Sequence, residues 1–420
     1  MKSMLFAMTA TTALTALPAF AVERAEVLDT YANIAAAGYA DSLTTAQALQ
    51  TAVDVLLDQP SEAALQAART AWIAARVPYM QTEAYRFGNA IVDDWEGRVN
   101  AWPLDEGLID YVDATYGGAT DENEFAVLNV VANPSFTLSG EEVDASAITP
   151  ALLQDTLQEA DGVEANVATG YHAVEFLLWG QDLNGTDAGA GDRPWTDYAA
   201  GDDCTNGNCD RRGDYLRAVT DLLVTDLDEM AAAWADGGAA RTAVLADETA
   251  GISAMLTGMG SLSYGELAGQ RMKLGVMMND PEEEHDCFSD NTHMSHYYDG
   301  LGVQNVYLGS YTRVDGSTVS GPSLSDLIAQ ADPAIDAQLK TELEASVAAL
   351  AVIRDKAEAG MAYDQMLARD NTEGEALVMG AVDALVIQTR SIERAVAALD
   401  LNGIAVEGSD SLDNPNAVFQ

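Results

Sequence analysis

Along residues 24 to 57 apolar side chains keep returning at helical spacing: Val27, Tyr31, Ile34 and Ala35, then Leu43, Leu49, Val53 and Leu56. A period near 3.6 sustained over such a run predicts one long helix, or two joined near Gly38. The spacing recurs downstream. Gln59-Pro60-Ser61-Glu62 opens a second helix with Pro and acidic residues in its first turn. That helix is expected to carry Trp72, Arg76, Tyr79, Glu83, Tyr85, Arg86 and Phe87, with Pro78 as its point of bending. Short helices are expected at residues 108–111 and 124–131, and Thr149-Pro150 caps an amphipathic one over 151–160. Residues 215–234 place Leu216, Val219, Leu222, Leu223, Leu227 and Met230 along one side. A helical stretch from Arg241 to about Asp280 is loosened by its glycines, and residues 323–331, 333–359 and 373–399 supply the last helices. No strand pattern competes, so the expected fold class is all-α.

The 420 residues suffice for two domains, each with its own core. Residues 182–212 are dominated by Gly, Asp and Asn and contain Pro194-Trp195, which marks a surface excursion and a boundary. The expected organisation is a signal segment at 1–21, an N-terminal helical bundle at 22–185, a linker at 186–212, a C-terminal bundle at 213–405 and a frayed tail at 406–420. Tyr85-Arg86-Phe87-Gly88 leads into an acidic loop ending at Asp105, and Arg271-Met272-Lys273-Leu274-Gly275 into one ending at Asp290. This faint echo suggests a distant internal duplication.

Lys2, the apolar residues 5–17 and Ala19-Phe20-Ala21 have the form of a secretory signal with an A-x-A cleavage site, so export into a bacterial periplasm is expected. No later segment has the apolar length to span a bilayer. Cys204 and Cys209 bracket Thr-Asn-Gly-Asn and are expected to form a disulfide in an oxidising compartment, which leaves Cys287 unpaired. The 67 acidic residues against 20 basic ones give a formal charge of -47, which repels nucleic acid and anionic membranes. The carboxylates are spread along the whole chain and are read chiefly as solvating.

Two stretches carry groups that a helical core does not need. In Gly170-Tyr171-His172-Ala173-Val174-Glu175, followed by an apolar run, His172 and Glu175 fall on one helix face where a cation could meet both. That is half a metal site; the same pair also suits a buried His satisfied by its neighbour. Residues 281–296 hold three of the four histidines, His285, His293 and His296, with Glu282, Asp290 and Cys287 among them. Glu282 with His285, or His293 with His296, have ligand-compatible spacing, and the other reading is a polar loop bonded across a domain interface. Arg76 and Arg86 beside Glu83 fit an Arg-carboxylate pairing of helices, and Asp105 follows the ordered Trp102-Pro103 step.

Taken together, Gly170-x-His172-x-x-Glu175, the segment ending Tyr85-Arg86-Phe87-Gly88, Trp102-Pro103, and Cys287-Phe288-Ser289-Asp290-Asn291-Thr292-His293 resemble the imelysin-like family, also called the insulin-cleaving metalloproteinase family. The second loop is similar to that of its iron-regulated protein A branch, and the resemblance covers most of the mature chain. It implies two helical bundles, export, and a site containing His172 and Glu175 at the domain interface. Family members are associated with iron uptake or iron-regulated expression, and some are classed as metallopeptidases.

The expectation is therefore a periplasmic metal-binding protein serving iron acquisition alongside envelope iron-uptake components. Its expected ligands are His172, Glu175, Glu83, His285 and His293, with Arg76, Arg86, Asp105, Asp290 and Cys287 lining the site. Carboxylate and imidazole donors suit a divalent or ferric ion, iron by the resemblance, with zinc and manganese also compatible. Two alternatives stand beside it: a metallopeptidase acting on exported or extracellular protein, and a scaffold without metal. No H-E-x-x-H or inverted motif sets a general base between metal ligands, so no catalytic residue is assigned.

Overall fold

Helix α1 (Arg24–Asp58) runs unbroken through Gly38, so the long periodic stretch is one helix. The structure, a computed structural model, describes residues 21–402 and 404–419, and the expected signal segment up to position 20 lies outside the described residues. At the start of α1 the Glu26 carboxylate accepts from the Glu23 amide at 3.1 Å and brings negative charge to the positive helix end. Gly38 provides space, because a Cβ there would lie 2.9 Å from the Thr82 methyl.

Helix α2 (Glu62–Met80) begins at Ser61, whose hydroxyl accepts from the Ala64 amide at 3.3 Å. It stops soon after Pro78 instead of continuing to Gly88. Proline offers no amide to the preceding turn. The Gln81 side chain donates to the Val77 carbonyl at 2.9 Å and the Thr82 hydroxyl to the Tyr79 carbonyl at 2.6 Å, which closes the end. A tight turn at Glu83–Tyr85 follows, so Arg76 and Glu83 belong to different elements.

Every residue of helix α3 (Gly170–Trp179) is buried. Its first residue, Gly170, has φ +80°, and a Cβ there would lie 2.4 Å from the Val99 carbonyl oxygen, to which the Tyr171 amide donates at 2.7 Å. Helix α4 (Cys209–Trp234) packs along α1 and α3 with the predicted apolar stripe inward. Trp234 stacks on Tyr39 at 6.3 Å and meets Tyr31 and Tyr85, an aromatic centre for this half of the core. Residues 186–212 are tied into it: Arg193 and Arg212 reach Asp110 at 2.8 and 2.5 Å, and Arg193 reaches Asp197 at 3.1 Å. Cys204 and Cys209 are joined as a disulfide.

Helix α5 (Glu248–Ser261), capped by Asp247, runs straight on through wide turns at Leu262–Lys273 into Leu274–Met278. Helices α6 (Thr292–Leu308), α7 (Pro333–Glu358) and α8 (Thr372–Ala398) follow. Leu267, Met272, Leu350, Ile353, Tyr363 and Leu385 join the wide turns to α7 and α8, while one larger apolar cluster extends from Val27 to Leu401. Helix α6 touches both α2 and α7. Among the described residues no helix is long and apolar enough to cross a membrane.

Among the described residues the architecture is all-α apart from two small antiparallel hairpins that sequence periodicity does not reveal. They pair Ser135–Leu138 with Glu141–Asp144, and Ser310–Thr312 with Thr318–Ser320. Strands this short and exposed carry too few alternations to be read. Residues 124–131 form turns rather than a helix: the Asn123 and Asn129 side chains accept from the Phe125 and Ala132 amides at 3.0 and 2.9 Å, an arrangement that competes with helix. Thr149 caps its helix as expected, but that helix gives way after Leu152 to a wide turn at Leu153–Leu157.

Candidate metal centre

On α3 the His172 Nδ1 lies 3.0 Å from Glu175 Oε2, both side chains fully buried. The other Glu175 oxygen accepts from the Ser289 amide at 3.0 Å and the Ser289 hydroxyl at 2.6 Å. Glu175 therefore fastens the motif helix to the loop that precedes α6. Phe288 of that loop packs on Phe176 at 5.3 Å, and Trp102, after whose cis bond Pro103 follows, covers the His172 ring at 5.0 Å. His172 Nε2 is buried with no hydrogen-bond partner. A group of this kind costs about 1–3 kcal/mol unless something binds it.

The loop brings two more groups to His172. The His285 ring stands edge-on to it, centroids 4.7 Å apart, and Asp286 Oδ1 lies 4.0 Å from His172 Nδ1. One ligand atom from each of His172, His285 and Asp286 falls within 4.8 Å of the others. Asp286 is held firmly. Arg76 of α2 grips both its oxygens, Nη2 to Oδ1 at 2.7 Å and Nε to Oδ2 at 3.3 Å. Asn291 donates to Oδ2 at 2.9 Å, and the Ser295 hydroxyl also donates there. Arg76 in turn donates to Asn100 Oδ1 at 2.6 Å, passes 3.3 Å from His285 Nδ1, and lies over the Tyr171 ring at 5.0 Å.

Burial sets the charge state. It pushes the His172 imidazole well below its ordinary pKa, and Arg76 adds to that against Asp286. His285 is lowered in the same way, by burial and then by Arg271. Burial and the neighbouring Asp286 push Glu175 well above the usual carboxylate range, against the Ser289 bonds. Burial alone would also raise Asp286, but Arg76 and the hydrogen bonds hold it at about 2. The cluster thus contains neutral imidazoles, one fixed carboxylate with its arginine, and a second carboxyl able to ionise beside an added cation.

His285 also lines a cleft of about 430 Å³ with Arg86, Glu96, Trp102, Glu266 and Arg271. Behind it Arg271 binds Glu83 at 2.8 Å, Glu266 at 2.9 Å and Asp299 at 2.9 Å. Arg86 joins Asp93 at 3.0 Å, Glu96 at 3.5 Å and Glu266 at 3.8 Å. Glu96 is pushed up to about 7 by burial, with Glu83 and Glu266 adding to the effect and Arg86 opposing it.

Of the residues expected from sequence, the structure brings together His172, Glu175, His285 and Arg76. Arg86 lines the cleft, while Glu83 faces Arg271 and takes no part in the donor group. His293 stands on the first turn of α6 outside that group, with an unpartnered Nδ1. Asp105 is bonded to Tyr116 and Asn123 and takes no part in the donor group. Cys287 is buried and free, and Asp290 lies with Asp182 and Asp364 in a separate acidic group. Sequence reasoning passed over Asp286, Asn100 and Ser295. Asp286 was within reach, since it adjoins His285 in the flagged loop, but nothing in the sequence tells it from the carboxylates beside it. Asn100 comes from a stretch without periodicity.

The family model Peptidase M75, imelysin, matches residues 35–392. A curated relative, iron-regulated protein A of Synechococcus elongatus, is 35% identical over 83 residues, a match that spans 20% of this chain and 21% of the relative. The fold is similar to that of an iron-regulated protein A precursor from Parabacteroides distasonis, TM-score 0.63, at 18% identity over 91% of this chain and 97% of the other. It is also similar to that of an imelysin-like protein from Psychrobacter arcticum, TM-score 0.55, at 14% identity over 91% and 98% of the two chains.

Proposed function

Since the chain belongs to the imelysin family, with its iron-regulated relatives, we propose that it is an exported metal-binding protein that serves iron acquisition and holds its ion at His172, His285 and Asp286. The observation that carries this reading is the buried, unpartnered Nε2 of His172 within a group of two imidazoles and a carboxylate. Two neutral imidazoles and one anionic oxygen suit ferrous iron, zinc or manganese. Iron is favoured by what the relatives are called. Export rests on the signal-like residues 1–21.

The residues fit such an ion. Glu175 would orient His172 by accepting from Nδ1, which leaves Nε2 as the ligand atom, and Ser289 fixes Glu175 in turn. Asp286 supplies the charge. Arg76 shares that carboxylate and holds it in place. The cleft beside His285 is the approach, and its acidic rim attracts cations.

The peptidase reading draws on the family name, but Glu175 is already engaged by His172 and Ser289 and is a poor candidate to activate water. In the test, purified mature protein is loaded anaerobically with ferrous iron, desalted and assayed for metal. About one ion per chain is expected, lost in His172→Ala. Unchanged metal content in that variant would refute the site.

A further inference from the structure

We propose a second cation site of all-oxygen character, built by Asp182, Glu284, Asp290 and Asp364 and suited to a hard divalent ion such as Ca2+. These residues come from the chain after α3, the loop before α6 and a short helix at Tyr363–Leu367. One oxygen from each of Asp182, Asp290 and Asp364 lies within 4.8 Å of the others, the span across an ion with bonds of about 2.4 Å. Asp182, Glu284 and Asp364 line one small cavity of about 10 Å³, roughly the room for a single small sphere.

Two members of this acidic cluster are deeply buried. Glu284 is 1% exposed and Asp364 2%, and none of their four carboxylate oxygens has a hydrogen-bond partner. The Thr292 hydroxyl accepts from the Asp286 amide at 3.0 Å, which leaves its single proton to turn toward Glu284 but brings no charge. Asp290 Oδ1 is also unpartnered. The other buried aspartates among the described residues each have a basic partner: Asp41 has Arg313, Asp110 and Asp197 have Arg193, Asp226 has Arg98, Asp286 has Arg76, Asp299 has Arg271 and Asp336 has Lys340. Among the described residues no lysine or arginine ion pair reaches any of these four. Buried carboxylates without a counter-charge are costly, and a bound cation supplies one.

The two groups share a loop yet differ in chemistry. His285 and Asp286 turn to His172 and Arg76, whereas Glu284 and Asp290 turn to Asp364. Oxygen donors without imidazole select harder ions than the histidine group does.

In the experiment the purified protein is titrated calorimetrically with CaCl2 at constant ionic strength, which removes the general attraction of a chain of net charge -47. One saturable Ca2+ per chain is expected in the wild type and in His172→Ala, weakened about tenfold or more in Asp364→Asn. Asp182→Asn, at a less buried position, repeats the measurement should Asp364→Asn fail to fold. No saturable heat with Ca2+ or Mg2+ in the wild type would overturn the proposal. Binding that survives both aspartate variants, or that disappears in His172→Ala, would overturn it as well and assign the ion elsewhere.

Discussion

Arg76 and Asp286 meet inside the protein in a two-pronged ion pair, Nη2 to Oδ1 at 2.7 Å and Nε to Oδ2 at 3.3 Å, both side chains shut off from solvent. Removing one partner strands the other. Arg76→Met should destabilise the fold by about 3–5 kcal/mol, read as a lowered Tm. If Asp286 is a metal ligand, Mn2+ or Zn2+ should restore more stability to this variant than it adds to the wild type, because the ion then neutralises Asp286 unopposed. A variant indifferent to metal would exclude Asp286 from the donor set.

Glu175 acts through His172 in this account. Glu175→Gln keeps an oxygen for Ser289 and a polar neighbour for the ring but loses the anion, so the protein should fold with little change in Tm while metal affinity falls about 10–100-fold. Titration of both proteins with Mn2+ checks this. Equal affinities would make Glu175 a packing residue only.

Gly170 places that helix. Its φ of +80° costs other residues about 1–3 kcal/mol, and a Cβ would press on the Val99 carbonyl at 2.4 Å. Gly170→Ala should therefore lower the Tm and weaken metal binding together, by displacing His172. Denaturant unfolding alongside metal titration reads both effects; a variant as stable as the wild type would show that the backbone can relax there.

The cleft should give the protein a pH signature. Glu96 titrates near 7 when folded against about 4.5 when unfolded, so the folded state binds the extra proton between those values. Its contribution to stability is accordingly lost as pH rises from about 4.5 through 7. Glu96→Gln should be more stable than the wild type at pH 8, by on the order of 1–3 kcal/mol, and nearly equal to it at pH 4.5. Chemical denaturation at the two pH values measures the difference, and a constant offset would place the effect elsewhere.

Long helices were legible because their apolar period is repeated many times: 24–58 and 209–234 lie close to where the pattern of Val27 to Leu56 and Leu216 to Met230 puts them. Short elements were not, since the Ser139-Gly140 hairpin turn and the Asn123 and Asn129 turns depend on single side-chain bonds and left-handed residues. At the site, His172 and Glu175 could be read as a pair because helical spacing fixes their relation. Which loop groups reach them could not, because that depends on how the chain folds back from α3 to Ser289. His285 and Asp286 turn inward to His172 while Glu284 and Asp290 join another group, a division invisible in a run of adjacent polar residues. Glu83 falls outside the donor group because its helix ends soon after Pro78 and the turn at Glu83–Tyr85 sets it against Arg271.

The central claim is that His285, not the equally suggestive His293, completes the donor group around His172. The most direct measurement is the iron content of His285→Ala and His293→Ala after ferrous loading and desalting, compared with the wild type. His285→Ala should retain almost none and His293→Ala about one ion per chain. Retention by His285→Ala, or loss confined to His293→Ala, would contradict it.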